Sequence, residues 1–125
     1  EEGTDLTIVS YGKMMKVAIE AAEQLKKEGK SVEVIDLRTI RPLDTDTILE
    51  SVKKTNKLII VEEAWPTAAM SSEIAYQIQK YAFDYLDAPI QRVNNKDIPL
   101  AYAPTLIEET LPNVKRTLEA AKAIL

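Results

Sequence analysis

Four short apolar segments alternate with four segments of helical periodicity along the chain, and this alternation restricts the fold more than any other feature. Alternating strands and helices are typical of a mostly parallel sheet with helices on both faces. The sequence therefore predicts an α/β fold with three layers, α/β/α, around a sheet of four strands. The length suits one domain, which we expect to cover residues 1–125. The predicted strands cover residues 5–11, 31–40, 57–62 and 90–93.

The ends of the predicted helices follow from capping and helix-breaking residues. The first helix covers residues 14–28 and ends at Gly29, a residue type favoured just after a helix. Asp44 is a favourable N-cap for the second helix. The third helix places Ile74, Ile78, Ala82 and Leu86 four residues apart, with Ser71 or Ser72 as its cap and residues 87–89 as its end. The last helix opens at residues 111–113, with Pro112 in its first turn and Val114, Leu118, Ala121 and Leu125 on one face.

The composition excludes several kinds of chemistry. The chain has no cysteine and no histidine, which rules out disulfides, thiol nucleophiles, histidine-based triads and the usual structural zinc sites. Its three glycines cannot form a glycine-rich phosphate loop. A net charge of −4 disfavours nucleic acid and is compatible with a basic protein partner, although it also simply favours solubility. No apolar stretch approaches the roughly 20 residues of a membrane span. The acidic N-terminus leads us to expect no signal or transit peptide.

Charged residues follow the predicted strands, where ligands of open α/β sheets bind. Glu62 and Glu63 are adjacent on a strand and point to opposite faces, so they do not form a catalytic pair. A structural or interface role with a charged partner is favoured for Glu62 over acid–base catalysis. Arg38 and Arg41 favour a salt-bridge network within the chain or between domains, and a bound phosphate stays as the alternative.

Aromatic residues offer a second kind of contact. Trp65 follows the third strand, and both a core position and an interface position stay open for it. We expect Phe83 to pack against neighbouring helices. Tyrosines 76, 81 and 85 are not interleaved with basic residues, so base stacking is disfavoured and a protein interface is compatible with them.

Five longer motifs, taken together, resemble the C-terminal domain of pyruvate dehydrogenase E1 β subunits, within the wider transketolase C-terminal superfamily. The resemblance extends over nearly the whole chain from Asp5. Its motifs occupy residues 7–12, 34–44, 61–66, 82–89 and 98–103.

The resemblance implies a strand order in which strand two lies outside strand one, with strands three and four on the other side. An antiparallel edge strand of the family is missing here, which leaves the edge of strand two unpaired. In the family, thiamine diphosphate with Mg lies between the α subunit and the N-terminal domain of β. We therefore expect no cofactor and no catalytic residue in this chain, and no activity from it alone. The location expected is the bacterial cytoplasm, or an organelle matrix after removal of a targeting sequence.

The same resemblance implies the partners. They are the E1 α and β subunits, with which the domain pairs, and the peripheral-subunit-binding domain of the E2 acyltransferase. Asp87 matches a position that meets basic residues of that E2 domain, and the C-terminal end near Leu125 is implied in the same contact. Arg38, Arg41, Glu62 and Trp65 complete the predicted partner-binding set. A second copy of the chain is a further partner, favoured by the unpaired edge strand.

Two alternatives remain open at this point. One is a stand-alone doubly wound module that binds a small molecule near Arg38 and Glu62. The other is a signalling module of the receiver type, although residues 10–11 are Ser-Tyr where it needs an acidic pair, and residues 62–63 are glutamates where it needs an aspartate. Alanines at 64 and 69, where the family usually has glycine, together with the missing edge strand, lead us to expect an excised or engineered fragment.

Overall fold

The computed structural model describes residues 3–37, 45–62, 70–93 and 113–125, and its elements alternate as the periodicity predicts. The strands are β1 (Leu6–Ser10), β2 (Val32–Asp36), β3 (Leu58–Val61) and β4 (Gln91–Val93). The helices are α1 (Met14–Lys27), α2 (Thr45–Thr55), α3 (Met70–Ala82) and α4 (Val114–Ile124), and a 3₁₀ turn at Phe83–Tyr85 follows α3. None of the helices within these ranges is long and apolar enough to cross a membrane.

The four strands form one parallel sheet in the order β2-β1-β3-β4. This order confirms the expectation taken from the family resemblance. β1 lies at the centre, with Ile8 opposite Val34 of β2 on one side and opposite Ile59 of β3 on the other. Helices α1 and α4 pack on one face of the sheet, and α2 and α3 pack on the other. The three-layer α/β/α fold is confirmed.

Burial of both sheet faces explains the apolar runs in the sequence. Every residue of β1 and β3 is buried, as expected for strands covered by helices on both sides. Alternate residues divide between two cores: Ile59 and Val61 face α1 and α4, and Leu58 and Ile60 face α2 and α3. The register of the sheet is therefore fixed by two apolar surfaces at once.

The C-terminal end of α1 and the N-terminal end of α4 follow ordinary capping chemistry. After α1, Gly29 takes a φ of +86° and the Lys30 N–H donates to the Leu25 carbonyl at 3.0 Å. Asn113 caps α4, because its Oδ1 accepts from the Arg116 N–H at 2.8 Å. The helix thus begins after Asn113, and Pro112, which was predicted to lie in its first turn, is outside the described residues.

The ends of α3 differ from the prediction as well. The helix begins at Met70, so neither Ser71 nor Ser72 is its N-cap. It ends at Ala82, and Leu86 lies beyond the 3₁₀ turn in an extended conformation, with φ −80° and ψ 127°. The 3₁₀ turn tightens the chain before residues 87–89, so Leu86 reaches the core from outside the helix.

A buried polar network joins β1 and β2 to α2. The Thr7 hydroxyl lies 2.7 Å from the Ser51 hydroxyl and 2.6 Å from the Thr55 hydroxyl. Glu33, opposite Thr7 in the sheet, accepts hydrogen bonds from Ser51 and, at 2.6 Å, from Lys54. These contacts satisfy the polar groups that the fold buries beside an aliphatic core.

Gly3 lies directly on the backbone of β2. A Cβ atom at this position would fall 2.3 Å from the Val32 carbonyl carbon, and its nearest neighbours are all backbone atoms. Only glycine permits this approach, which brings the chain across the start of β2 before it enters β1.

Candidate functional site

Because all four strands are parallel, the sheet has a carboxyl end and an amino end, and predicted functional residues lie at both. At the carboxyl end the chain leaves β1 at Ser10 and β3 at Val61, whose crossovers lead to opposite sides of the sheet. This is the kind of position where open α/β sheets bind ligands. At the amino end lie the segments that enter the strands and the C-terminal ends of α1 and α4.

Side chains at the carboxyl end tie the strand ends together. The Ser10 hydroxyl donates to the Val61 carbonyl at 2.7 Å, and the Glu62 N–H donates to the Val93 carbonyl at 3.1 Å. The Glu62 side chain is fully buried, and its Oε2 accepts a hydrogen bond from the Tyr11 hydroxyl at 3.0 Å. The bond joins the residues that directly follow two hydrogen-bonded strands. The hydrogen bond gives the buried Glu62 side chain a polar partner.

The Tyr11 phenol holds its proton more tightly than usual. Its pKa is raised from 10.0 to about 12, mainly by burial and in addition by the hydrogen bond to Glu62 and the negative charge of that carboxylate. A raised pKa in the folded state means that the Tyr11 contribution to stability is complete below pH 10 and is lost as the pH rises through 12.

We therefore expect a late component, near pH 12, when the phenolate absorbance of the folded protein is titrated. The Tyr11→Phe variant should lack this component. Tyr81→Phe, which removes an exposed tyrosine, is the control and should retain it. A late component that persists in Tyr11→Phe would show that it comes from another tyrosine and not from the hydrogen bond between Tyr11 and Glu62.

The other residues predicted for this end lie outside the described ranges. Arg38, Arg41 and Trp65 are among them, so their roles stay predictions. For Glu62 the structure adds a contact that sequence reasoning missed, the bond to Tyr11. The register that places Ser10 opposite Val61 brings Tyr11 and Glu62 together, and a sequence without a strand pairing does not contain this information.

Asp87 lies at the amino end of the sheet, in the segment that joins the 3₁₀ turn to β4. Leu86, before it, packs with the core that faces α2 and α3. Ala88, after it, packs with the core that faces α1 and α4. Side chains of this segment therefore reach both faces of the sheet. Asp87 lies between these two apolar anchors with its side chain 64% exposed.

A groove with a volume of about 670 Å³ adjoins Asp87. Leu86, Ile90 and Ala75 give it apolar lining, while Asp84 and Asp87 contribute carboxylates and Arg92 a guanidinium. Phe83 also lines the groove and is 64% exposed, so the expectation that this ring packs between helices is wrong. The 3₁₀ turn explains the difference, because it turns the chain out of the helix before Phe83 can follow the buried stripe of α3.

Leu125 lies at the same end of the sheet, on the opposite face. It is the C-cap of α4, its N–H donates to the Ala121 carbonyl at 2.9 Å, and its side chain is partly exposed. It lines a small cavity of about 160 Å³ with Leu25 and Glu28, which belong to the C-terminal end of α1. On α4 it is Ile124, and not Leu125 as the periodicity indicated, that enters the core.

The predicted partner-binding residues thus separate into two groups. Asp87 and Leu125 come to the amino end of the sheet, and Glu62 comes to the carboxyl end, where it is buried. One flat surface cannot present all three. Among the described residues, no group of three or more His, Cys, Asp or Glu side chains is arranged to hold a metal ion.

The chain resembles known proteins along almost its entire length. The family model "Transketolase, C-terminal domain" matches residues 1–117. The pyruvate dehydrogenase E1 β subunits of Rickettsia felis and Rhizobium meliloti are 51% and 50% identical to it, each over 98% of the chain. The mitochondrial E1 β subunit of Saccharomyces cerevisiae is 49% identical over 99% of the chain. The chain spans 38%, 26% and 34% of the lengths of these three relatives, respectively.

Solved structures agree with this assignment. A split-gene transketolase, in an inactive β4 tetramer, superposes over 100% of the chain and 40% of its own, with a TM-score of 0.86 and 26% identity. A 2-oxoglutarate:ferredoxin oxidoreductase shares the fold, with a TM-score of 0.62 over 98% of the chain and 18% of its own, at 15% identity. Fold, strand order and family model lead to one assignment. This chain belongs to the transketolase C-terminal domain family, and within it resembles the β subunits of pyruvate dehydrogenase E1.

Proposed function

We propose that residues 1–125 form one assembly and docking domain of a thiamine-diphosphate-dependent pyruvate dehydrogenase E1 β subunit. Such a domain pairs with E1 α and β subunits and binds the peripheral-subunit-binding domain of E2. It has no catalytic activity alone, because the cofactor and the reacting groups belong to other parts of the enzyme. Its place is the bacterial cytoplasm or an organelle matrix, in keeping with bacterial and mitochondrial relatives.

The exposed carboxylate of Asp87 beside the groove carries the docking proposal. A carboxylate at a protein surface attracts a basic partner and orients its approach. The neighbouring groove offers apolar lining, into which a side chain of the same partner can insert. Leu125 lies at the same end of the sheet and adds a partly exposed apolar contact. These features suit a small basic domain with an apolar anchor better than they suit a phosphate or a nucleic acid.

Exposed rings on α3 support the proposal that the domain also pairs with other subunits. Tyr76 and Tyr81 are more than half exposed, and the Lys80 ammonium lies 5.9 Å and 5.3 Å from their ring centres. Tyrosines of this kind are enriched at protein interfaces. The split-gene transketolase, an inactive β4 tetramer, is a family neighbour in which β chains assemble with one another.

Calorimetric titration of the chain with the E2 peripheral-subunit-binding domain tests the docking proposal. We expect Asp87→Lys to weaken binding by about tenfold or more, because an attractive charge at the contact becomes a repulsive one. Glu20→Lys makes the same change of charge at an exposed site in the middle of α1 and is the matched control. Equal affinities for the two variants would remove Asp87 from the contact and refute the proposal.

A further inference from the structure

The residues between α2 and β3 hold the segment that carries Asp87. α2 ends at Thr55 and β3 begins at Leu58, so the chain reverses within two residues. Asn56 makes this possible with a φ of +64°, a left-handed conformation that asparagine tolerates better than most residues. Its N–H donates to the Val52 carbonyl at 2.7 Å, which closes the helix.

Asn56 makes two hydrogen bonds to the Asp87 segment, one on each side of Leu86. Its side-chain Nδ2 donates to the Tyr85 carbonyl at 2.6 Å. Its main-chain carbonyl accepts from the Asp87 N–H at 2.9 Å. One residue therefore fixes the backbone both before and at the exposed aspartate. The short turn between α2 and β3 is itself anchored, because the Lys57 carbonyl accepts from the Thr7 N–H of β1 at 2.9 Å.

Lys57 also supplies the Asp87 carboxylate with a cation. The Lys57 ammonium lies 3.9 Å from Asp87 Oδ2, with the lysine side chain 22% exposed and the aspartate side chain 64% exposed. An ion pair of this length and exposure contributes little, since water and salt screen it. It orients the carboxylate without binding it tightly, and a better-placed cation can replace it.

From these contacts we propose that Asn56 is a positioning residue for Asp87, and that Lys57 is a resident cation which a basic partner displaces on docking. The inference rests on the proposed docking function and names two residues outside the motif that carries Asp87. Asn56 keeps the carboxylate in a binding-ready geometry, which lowers the entropy lost on association. Lys57 competes with the partner for the Asp87 carboxylate. The strength of this ion pair therefore sets how much of the carboxylate's negative charge is available to the partner.

A double-mutant cycle on the folded chain tests the role of Asn56. Asn56→Gly keeps the left-handed backbone and removes only the side-chain bond to Tyr85. We expect it to weaken binding of the E2 peripheral-subunit-binding domain by about threefold to tenfold. In an Asp87→Asn background the same change should cost less than about twofold, since it acts through Asp87. If Asn56→Gly unfolds, Asn56→Asp, which also tolerates this backbone, replaces it in the cycle, measured at high salt to screen the added charge.

Lys57→Met tests the displaced cation. We expect this variant to bind up to about fivefold more tightly at low salt, with the gain shrinking as salt rises. Lys16→Met, at an exposed site near the start of α1, removes the same charge at the opposite end of the sheet from Asp87 and is the control. If Lys57→Met bound the E2 domain more weakly than this control, the proposal that the partner displaces Lys57 from Asp87 would be refuted.

The outcomes separate the two proposals. If Asp87→Asn alone leaves the affinity unchanged, the docking function fails, and the inference fails with it. If Asp87→Asn weakens binding while Asn56→Gly has no effect, or the same effect in both backgrounds, docking stands and the positioning role of Asn56 is refuted.

Discussion

Replacing Ile60 with alanine is expected to lower the free energy of unfolding by about 2 to 5 kcal/mol. Ile60 lies in β3, between β1 and β4, and is fully buried in the core that faces α2 and α3. The loss combines the transfer free energy of the removed methyl groups with the cavity that a paired strand cannot close. Urea denaturation followed by far-ultraviolet circular dichroism measures it.

Ile19→Ala on α1 is the matched control, because Ile19 is 40% exposed and belongs to neither buried core cluster. We expect this control to change the free energy of unfolding by less than about 1 kcal/mol. Equal losses for the two variants would mean that β3 is not a tightly packed inner strand of the sheet. Leu86 and Ile90 pack on the same core as Ile60. The cavity should therefore also loosen the segment that holds Asp87.

Replacing Glu33 with glutamine is expected to lower the free energy of unfolding by about 1 to 3 kcal/mol at neutral pH. Burial alone raises the pKa of Glu33, but the hydrogen bonds from Lys54 and Ser51 and the charge of Lys54 outweigh it. The net pKa lies below the ordinary 4.5. A carboxylate with a lowered pKa stabilises the fold above its unfolded pKa, and this stabilisation is lost as the pH falls through the folded pKa.

The difference between wild type and Glu33→Gln should therefore be constant above about pH 5 and shrink as the pH falls below 4.5. Urea denaturation at a series of pH values measures it. Glu23→Gln, at an exposed site on α1, is the control and should change the free energy of unfolding by less than about 0.5 kcal/mol throughout. A difference for Glu33→Gln that did not vary with pH would show that its charge is not what the network stabilises.

The alternation of elements was predictable from the sequence because the inner strands β1 and β3 are mostly apolar and each helix has one apolar face. The order of the strands was not, since several right-handed arrangements share the same alternation. It came from the family resemblance, and the structure confirms it. The family match also favours a transketolase C-terminal domain over a receiver module.

The buried polar network could not be predicted from the hydrophobic pattern of the sequence. Glu33 alternates with Val32 and Val34, a pattern typical of a polar face turned to water. In the structure that face is covered by α2, whose Ser51 and Thr55 lie one turn apart and meet it. The spacing of Ser51 and Thr55 is visible in the sequence. Which strands α2 packs against is not, because this depends on how the chain crosses from β2 to β3.

The candidate site was predicted in part for a similar reason. The rule that ligands bind beyond the carboxyl ends of strands predicts a site at Glu62 and its neighbours. Asp87 precedes a strand, so it lies at the other end of the sheet, together with Leu125. Its placement between two cores requires knowing that Leu86 and Ala88 pack on opposite faces, and neither periodicity nor composition contains that information.

The central position of β1 has a consequence for how the chain acquires this fold. Both neighbours of β1 lie far along the sequence, one beyond α1 and the other beyond β2 and α2. Closing such loops lowers the conformational entropy of the chain before the strand contacts form. Parallel sheets therefore form slowly compared with helical bundles of equal length. During synthesis β1 cannot pair until both of its neighbours have left the ribosome, and its aliphatic surface is prone to aggregation until then.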